Sequence, residues 1–461
     1  MRKWTTLLAV AGLTGGVLAS AATLAGPAAA DHGPFLFPGN LLVSRSVYMG
    51  APITAGQTML PPGCTTGCVV ASSDGSYPGV WNNDQVDGSF GVTSPVYLDE
   101  ITPSGRFLGS VAVPSGPRHD HLVTSFSSKS ELALNLSTDG RYITFMGYVA
   151  PVSALDVSNS NTPGVIDPTN PVPGATFRAV ARMDAWGRFQ FTETNAYSGN
   201  NGRAAILNDR AGVFYTAGNA GNGGNPQPVG VITGTGAQLV TPTRRPERFQ
   251  QPAATTPVGS FNITELGDPA DKIGKDTNFR GLTVFDNVVY LTKGSGGNGV
   301  NTVYFIDTTG HACPNGVGVP QPGAALPTSP IAFDPGVVQA QGLPNNMCVL
   351  DGFPTALKTK TSFPFGVWFA NPDTAYVADE GNGTNTFSAT TGTYTAAAAQ
   401  TTAGLQKWVR ANGIWQLAYT LTGGLDLGVP YQVPGYPQGV NAVTGLPWAP
   451  ATDGLRNLTG R

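Results

Sequence analysis

Two histidines close together in the sequence are the first candidates for chemistry. His119 and His121 stand in the segment RHDH (118–121), separated by one aspartate. Imidazole and carboxylate groups at this spacing could ligate a metal ion or act as acid and base. The alternative is a solvated polar loop. We favour the solvated loop because no nucleophile motif such as Gly-x-Ser-x-Gly accompanies the histidines.

A second set of candidates consists of oxygen-bearing side chains in loops rich in Gly and Pro. Calcium takes about six to eight oxygen ligands, and carboxylates mixed with amides suit it. The segment LDVSNSNTPGVID carries four such residues, Asp156, Asn159, Asn161 and Asp167. The segment NNDQVDG carries Asn82, Asp84 and Asp87. Both are weak candidates for calcium, since neither completes a calcium-loop pattern and such residues also form ordinary turns.

The first thirty residues predict export. Arg2 and Lys3 precede an apolar stretch that ends in three alanines at 28–30. This order is typical of a secretory signal peptide, so we assign 1–30 to the signal and 31–461 to a single domain. No other stretch approaches the roughly 18–20 apolar residues of a membrane span. The protein is therefore expected to be secreted, extracellular and without a membrane partner.

The four cysteines fit that expectation. Cys64 and Cys68 lie in CTTGC, while Cys313 and Cys348 lie far downstream. In an exported protein an even number of cysteines predicts disulfides, and pairing 64–68 with 313–348 is one of three connectivities. We expect the Cys313–Cys348 bridge to close a long insertion on itself. A zinc site at CTTGC is the rival interpretation, although no histidine nearby completes four ligands.

The composition indicates a folded, turn-rich β protein. Only 11% of residues are charged and 41% are hydrophobic, and the chain holds 61 glycines and 38 prolines. Few helices can be built from such a chain, and the low charge argues against disorder. The net charge is −3, and no basic cluster offers a surface for nucleic acid.

Four hairpins of similar sequence supply the elements that must position these residues. Each combines an apolar strand, a tight turn of Asp, Asn or Gly residues and a second strand that carries a tyrosine. The turn residues provide the backbone angles that a tight reversal needs. The tyrosines that mark the register are Tyr142, Tyr215, Tyr290 and Tyr376.

A second hairpin pairs with the first in each repeat, as in 96–113, 178–193 and 405–421. Four antiparallel strands at a regular period predict a β-propeller blade, because one such sheet cannot bury both faces alone. We therefore predict an all-β propeller with five recognisable blades. The long connections, between second and third strands and between blades, emerge on one face. We expect ligands to bind this loop-rich face.

One phrase of the sequence resembles a known repeat. YVADEGNG (376–383) is similar to the YVAD-x-GN phrase of NHL-type propellers, which resemble lactonase and SMP-30-like propellers in architecture. The longer segments 128–171, 193–203 and 276–305 resemble a family of exported, propeller-like microbial proteins. These resemblances imply a shared fold and export, and no particular reaction.

Polar residues at the ends of second strands are candidates for a channel site. Asp379 and Glu380 end the second strand of the fifth blade, and Lys293 and Asn219 take the matching positions in the fourth and third. Such positions gather around the axial channel of a propeller. In lactonase-like propellers, metal-binding groups converge there, but those ligand motifs do not map onto this chain. A solvated channel rim is the alternative.

The last residues resemble the first strand of a repeat. DGLRNLTGR (453–461) is most similar to NFRGLTVFDNV (278–288). We therefore expect the start of a sixth blade and an incomplete domain. The alternative is that 454–461 pairs with 41–49 and closes a five-bladed ring.

These observations leave two functions open. The first is a binding or scaffold protein that recognises a glycan, polymer or protein partner, and it is favoured because no complete catalytic constellation is present. The second is a metal-dependent hydrolase, lactonase or lyase with a divalent ion in the central channel.

Overall fold

The protein is described by a computed structural model. The described residues are 36–49, 53, 57–60, 69–70, 91–116, 121–126, 132–170, 172–219, 236–242, 256–257, 278–294, 300–329, 347–356, 361–384, 386–432, 439–440, 447, 449 and 451–460. Several sequence-based predictions fall outside them, namely the signal peptide at 1–30 and those for Cys64, Cys68, Asn82, Asp84, Asp87 and His119.

Strands make up nearly all of the regular structure in the described residues. They are β1 (Leu41–Ser46), β2 (Met59–Leu60), β3 (Val69–Val70), β4 (Val92–Ser94), β5 (Val96–Ile101), β6 (Phe107–Ala112), β7 (Thr124–Phe126), β8 (Asn135–Leu136), β9 (Tyr142–Tyr148), β10 (Arg178–Asp184), β11 (Phe189–Thr194), β12 (Gly202–Asn208), β13 (Val213–Gly218), β14 (Ala237–Val240), β15 (Thr256–Pro257), β16 (Phe279–Phe285), β17 (Val288–Lys293), β18 (Thr302–Ile306), β19 (Val317–Gly318), β20 (Met347–Leu350), β21 (Pro364–Asn371), β22 (Thr374–Asp379), β23 (Phe387–Ser388), β24 (Thr393–Tyr394), β25 (Gly404–Ala411) and β26 (Ile414–Leu421).

Helix is confined to two short elements of the described chain. One is the 3₁₀ turn Val157–Asn159, and the other is α1 (Thr395–Ala398). The helix α1 lies in a run of alanines, which are strong helix formers. No helix in the described ranges is long and apolar enough to cross a membrane.

Five antiparallel sheets form the blades of a propeller ring. In chain order the blades are β1-β5-β6, β8-β9-β10-β11, β12-β13-β14-β15, β16-β17-β18-β20 and β21-β22-β25-β26, with β19 added to the fourth. Neighbouring blades pack through their first strands, as β12 does on β16 and β16 on β21. This confirms the predicted all-β propeller with five blades.

The hairpins form where the turn chemistry predicts them. Phe285 pairs with Val288 across the two-residue turn of Asp286 and Asn287. Both turn residues have positive φ, 47° and 61°, as a two-residue hairpin loop of type I′ requires, and Asp and Asn tolerate this conformation. The seven hairpins identified in the sequence are all present.

The alternation of strands gives the ring two ends. We call the end where second strands finish, at Gly218, Lys293 and Asp379, the upper end. The lower end carries the turns between first and second strands, such as Asp286-Asn287 and Pro372-Asp373.

The last described residues extend the packing of the ring. A Cβ atom on Gly281 in β16 would collide with the backbone of Phe365 in β21. A Cβ atom on Gly366 in β21 would likewise collide with Arg456 and Leu458. Residues 454–460 therefore lie beside β21 in the same way that β21 lies beside β16. The described β1 pairs with β5 and shows no strand ladder with this segment. The start of a sixth blade stays a prediction.

One long connection differs from the expectation that insertions occupy a single face. Between β18 and β20, the third and fourth strands of blade four, a long insertion begins at residue 307, and its described part (307–329) lies at the lower end. The predicted disulfide Cys313–Cys348 is confirmed and fixes the base of this insertion, with Cα atoms 5.8 Å apart. A disulfide fits an oxidising compartment.

Candidate functional site

A buried carboxylate at the upper end joins three segments of the ring. Glu380 Oε1 lies 3.4 Å from Arg280 Nε, and Glu380 Oε2 lies 3.3 Å from Arg456 Nε. The side chains of Glu380 and Arg280 are only 9% and 5% exposed. Both guanidinium groups also lie 5.9 Å from the ring centre of Phe365. Glu380 is thus neutralised by arginines from the preceding blade and the last segment.

The neighbouring Asp379 is buried and saturated by donors from its own blade. Its carboxylate accepts hydrogen bonds from the backbone amides of Phe363 (2.8 Å) and Gly381 (3.0 Å) and from Gln406 Nε2 (3.2 Å). Burial raises the pKa of Asp379 to about 6, and the nearby carboxylates of Glu380 and Asp453 add to this rise. The side chain ties β22 to β21 and β25, so its contacts are structural.

The other two predicted channel residues also lie at the upper end. Lys293 is buried at the end of β17, where its backbone pairs with Phe279 and Thr302. Asn219 forms an isolated bridge with Asn278. The structure thus places both residues at the upper end, and a role for them in a channel site stays a prediction. The backbone contacts described for these two residues join neighbouring strands and segments of the ring.

Three arginines of the upper end were not among the residues predicted from the sequence. Arg203, Arg280 and Arg456 each precede the apolar part of a first-strand segment, in GRAAIL, FRGLTV and LRNLTG. Arg203 Nη1 donates to the carbonyl oxygen of Phe279 in the next blade (3.1 Å). The recurring arginine was a signal available in the sequence. The role of these arginines could not be inferred without Glu380, which forms ion pairs with Arg280 and Arg456 and is distant along the chain.

The weak calcium candidates lie together in a buried loop above blade two. Asp156 Oδ1 accepts from Asn159 Nδ2 (2.6 Å), and Asp167 Oδ1 accepts from the amide of Thr169 (2.8 Å). Asn161 Nδ2 donates to the carbonyl oxygen of Asp167 (3.1 Å). Many of the candidate oxygens therefore already accept hydrogen bonds within the loop. Calcium binding here stays a prediction.

A buried arginine supplies positive charge to the same loop. Arg178 Nη2 donates to the carbonyl oxygens of Ser158 (3.1 Å) and Ser160 (2.8 Å). Burial lowers the pKa of Arg178 to about 10. A guanidinium group already bound to these carbonyls competes with a cation for the same oxygens.

The described histidines and cysteines do not form an open site. His121 is buried, so the expectation of a solvated loop is wrong for this residue, whose neighbour Leu122 is fixed by a hydrogen bond to Pro114. Asp307, Cys313 and Cys348 form the one close group of three metal-ligating side chains in the described chain. Two of the three are joined as a disulfide, which removes their thiolates as ligands.

The lower end carries the open concave surface of the described ring. A cavity of about 560 Å³ occupies the lower mouth of the channel. Its lining comes from the first strands of blades two to five, the insertion and the last segment, and includes Asn135, Thr138, Thr283, Trp368 and Thr459. Its hydroxyl and amide groups, together with the Asp286 carboxylate and one indole, suit a ligand with many hydroxyl or amide groups.

A second cavity of about 460 Å³ lies beside the first, between blades four and five. Asp286 and Asn287 line both cavities. The insertion contributes Val319–Ala324 to the second cavity and Leu326 to the first. One turn thus divides two adjoining pockets that a single insertion covers.

Comparison with known proteins identifies no matching family model and no matching curated protein. The resemblance to NHL-type and SMP-30-like propellers and to an exported family therefore stays a prediction. The function must be argued from the geometry of the two ends.

Proposed function

We propose that this is a secreted, non-catalytic binding protein that recognises a glycan, polymer or protein partner. The observation that carries the proposal is the channel cavity at the lower end, built by four blades and lined by hydroxyl and amide groups, the Asp286 carboxylate and Trp368. Such rigid, concave sites with a few convergent polar groups are typical ligand sites. The disulfide supports the extracellular setting.

The recognition surface proposed here differs from the loop-rich face expected from the sequence. That face is the upper end, where 220–235 and 258–277 lie outside the described residues. Its described charged groups are largely engaged with one another, as Glu380 is with Arg280 and Arg456. Among the described surfaces, the lower end offers the larger open cavities, and binding by the upper loops stays a prediction.

The metal-dependent hydrolase, lactonase or lyase is the less favoured alternative. Hydrolysis at a metal needs an open coordination site held by several side chains. At the upper channel mouth the described carboxylates Asp379 and Glu380 are instead committed to backbone amides and arginines.

The test is binding by the secreted protein and two variants. Thr138 is exposed at the rim of the channel cavity, so Thr138→Trp should obstruct the mouth without disturbing the core. Ser104 is exposed in a lower-end turn of blade one, and Ser104→Trp is the matched control. We expect Thr138→Trp to weaken binding to a panel of glycans, polysaccharides and secreted proteins by about tenfold, or ~1.4 kcal/mol.

Three outcomes would contradict the proposal. The first is no binding to any member of the panel. The second is equal binding by Thr138→Trp and the wild type. The third is turnover of an ester or lactone that EDTA abolishes, which would favour the enzyme.

A further inference from the structure

The cavity between blades four and five has a fixed aromatic wall. The rings of Phe285 and Phe369 stack with centroids 5.0 Å apart, and Tyr290 and Trp415 pack on Phe369 at 4.4 and 5.7 Å. Phe369, Tyr290 and Trp415 are buried, whereas Phe285 is half-buried and lines the cavity. The buried rings hold Phe285 in place. Its face can pack against polarised C–H groups of a ring-shaped ligand.

The rim of this cavity carries opposite charges on its two sides. Arg410 extends from blade five and Asp286 from the turn of blade four. Burial raises the pKa of Tyr290, Asp286 adds to this rise, and Arg410 opposes it, so both charges act on the same phenol. Gln321 of the insertion completes the rim with an amide.

Arg410 is the charged group on this rim with unused donors. Its Nε donates to the carbonyl oxygen of Gly413 at 3.3 Å. In the described part of the chain its two terminal nitrogens make no hydrogen bond, and no carboxylate forms an ion pair with it. A half-buried guanidinium with free terminal donors suits a planar carboxylate, which accepts two parallel hydrogen bonds.

We propose that this cavity binds a uronic acid residue of a glycan whose neighbouring residues occupy the channel cavity. Arg410 binds the sugar carboxylate, Phe285 packs against the sugar ring, and Asp286, Asn287 and Gln321 hydrogen-bond to hydroxyl groups. The volume of about 460 Å³ falls within the range of about 300–1,000 Å³ typical of ligand pockets. The shared turn at Asp286-Asn287 lets one chain pass from this pocket into the next. This assignment rests on the proposed binding function and names its ligand class.

The experiment compares acidic oligosaccharides with neutral versions of the same chains. The probes are trisaccharides of galacturonate, glucuronate and mannuronate, each as the free acid and as the methyl ester, measured by calorimetry with the secreted protein. We expect at least one acid to bind about 10- to 100-fold more tightly than its ester, because hydrogen bonds to charged groups are the strong ones.

Variants of Arg410 test whether its guanidinium group recognises the sugar carboxylate. Arg410→Gln should lower the affinity for the acid far more than the affinity for the ester and so remove the preference, whereas Arg410→Lys should keep part of it. Arg106 is exposed in a lower-end turn of blade one, so Arg106→Gln is the matched control. Unfolding midpoints of all variants verify that they are folded.

The outcomes separate this assignment from the proposed function. If polymers or proteins bind and Thr138→Trp weakens them, but acids bind no better than esters, the uronate assignment is wrong and the binding function stands. If Arg410→Gln keeps the preference for acids, another group reads the carboxylate and the assignment is also wrong. If nothing in either panel binds, both fail.

Discussion

The two ends of this propeller use their charged residues in different ways. At the upper end, Glu380 lies between Arg280 and Arg456, and Asp379 accepts three hydrogen bonds from its own blade. At the lower end, Arg410 and Asp286 line an open pocket without an ion-pair partner among the described residues. Charge that is already paired in the interior supports the fold. Charge that remains available at a cavity can bind a ligand.

The two ends also differ in what holds them together. The upper end depends on ion pairs and buried carboxylates, whose free energies change with pH. The cavities of the lower end depend on the insertion that the Cys313–Cys348 disulfide closes. Protonation of Asp379 should therefore affect the upper end, and reduction of the disulfide should affect the insertion at the lower end.

The largest expected effect is loss of the disulfide. Replacing both Cys313 and Cys348 with serine should lower the free energy of unfolding by about 4 kcal/mol, because the chain-entropy model gives this value for a loop of this length. Ligand binding should fall as well, since the same loop lines both cavities. Urea unfolding and calorimetry measure the two effects. Unchanged binding in the folded variant would show that the insertion does not shape the site.

Removal of Glu380 should have the next largest effect. Glu380→Ala breaks the buried ion pair between Glu380 and Arg280, and breaking a buried pair costs about 3–4 kcal/mol. The exposed pair Arg188–Asp184 is the control, and Arg188→Ala should cost less than about 1 kcal/mol. Both are measured by urea unfolding. Equal losses in the two variants would remove the distinction between paired interior charge and surface charge.

The third prediction concerns pH. With the pKa of Asp379 raised to about 6, the folded protein keeps a proton between about pH 4 and 6 that the unfolded chain has released. The wild type therefore loses stability as pH rises through this window. The free energy of unfolding of Asp379→Asn minus that of the wild type should therefore rise by about 2–3 kcal/mol from pH 4 to pH 7.

The difference in free energy of unfolding between Asp379→Asn and the wild type isolates the contribution of Asp379. Asp209, whose pKa burial and the neighbouring Asp139 raise to about 7, is present in both and cancels. Urea unfolding at several pH values provides the measurement. A constant difference across the range would mean that Asp379 is ionised in both states.

The smallest effect is expected at the lower end. Arg410→Gln should change the free energy of unfolding by less than about 1 kcal/mol, because no described ion pair is lost. The changes in free energy of unfolding caused by Arg410→Gln and Glu380→Ala compare the two ends directly. A loss as large as that of Glu380→Ala would show that Arg410 supports the fold and would weaken its role in binding.

The blades could be predicted from the sequence because their signals are local. The turn at Asp286-Asn287 and the tyrosines of the second strands, such as Tyr215 and Tyr290, lie within a few residues of the contacts they specify. The disulfide was also predictable, since the two cysteines flank a long insertion. Periodicity and turn chemistry therefore suffice for the five hairpin-built sheets.

The site could not be predicted because its parts are distant along the chain. Glu380 pairs with residues 100 positions earlier and 76 positions later. The second cavity combines the turn at 286–287, the insertion at 319–324 and the strand residues 410 and 415. The insertion closed by Cys313 and Cys348 was expected from the sequence, but its position at the lower end follows from its place between β18 and β20, which the expectation of long connections on a single face did not include.

The insertion and the blades differ in how freely their sequences can change. Residues 319–326 touch both cavities, yet none of them forms a strand ladder among the described sheets. Their base is fixed covalently, and Pro322 and Gly323 are exposed. Substitutions in this segment can therefore alter ligand choice at little cost to the blades. Related proteins could diverge in specificity through this one loop while the ring stays the same.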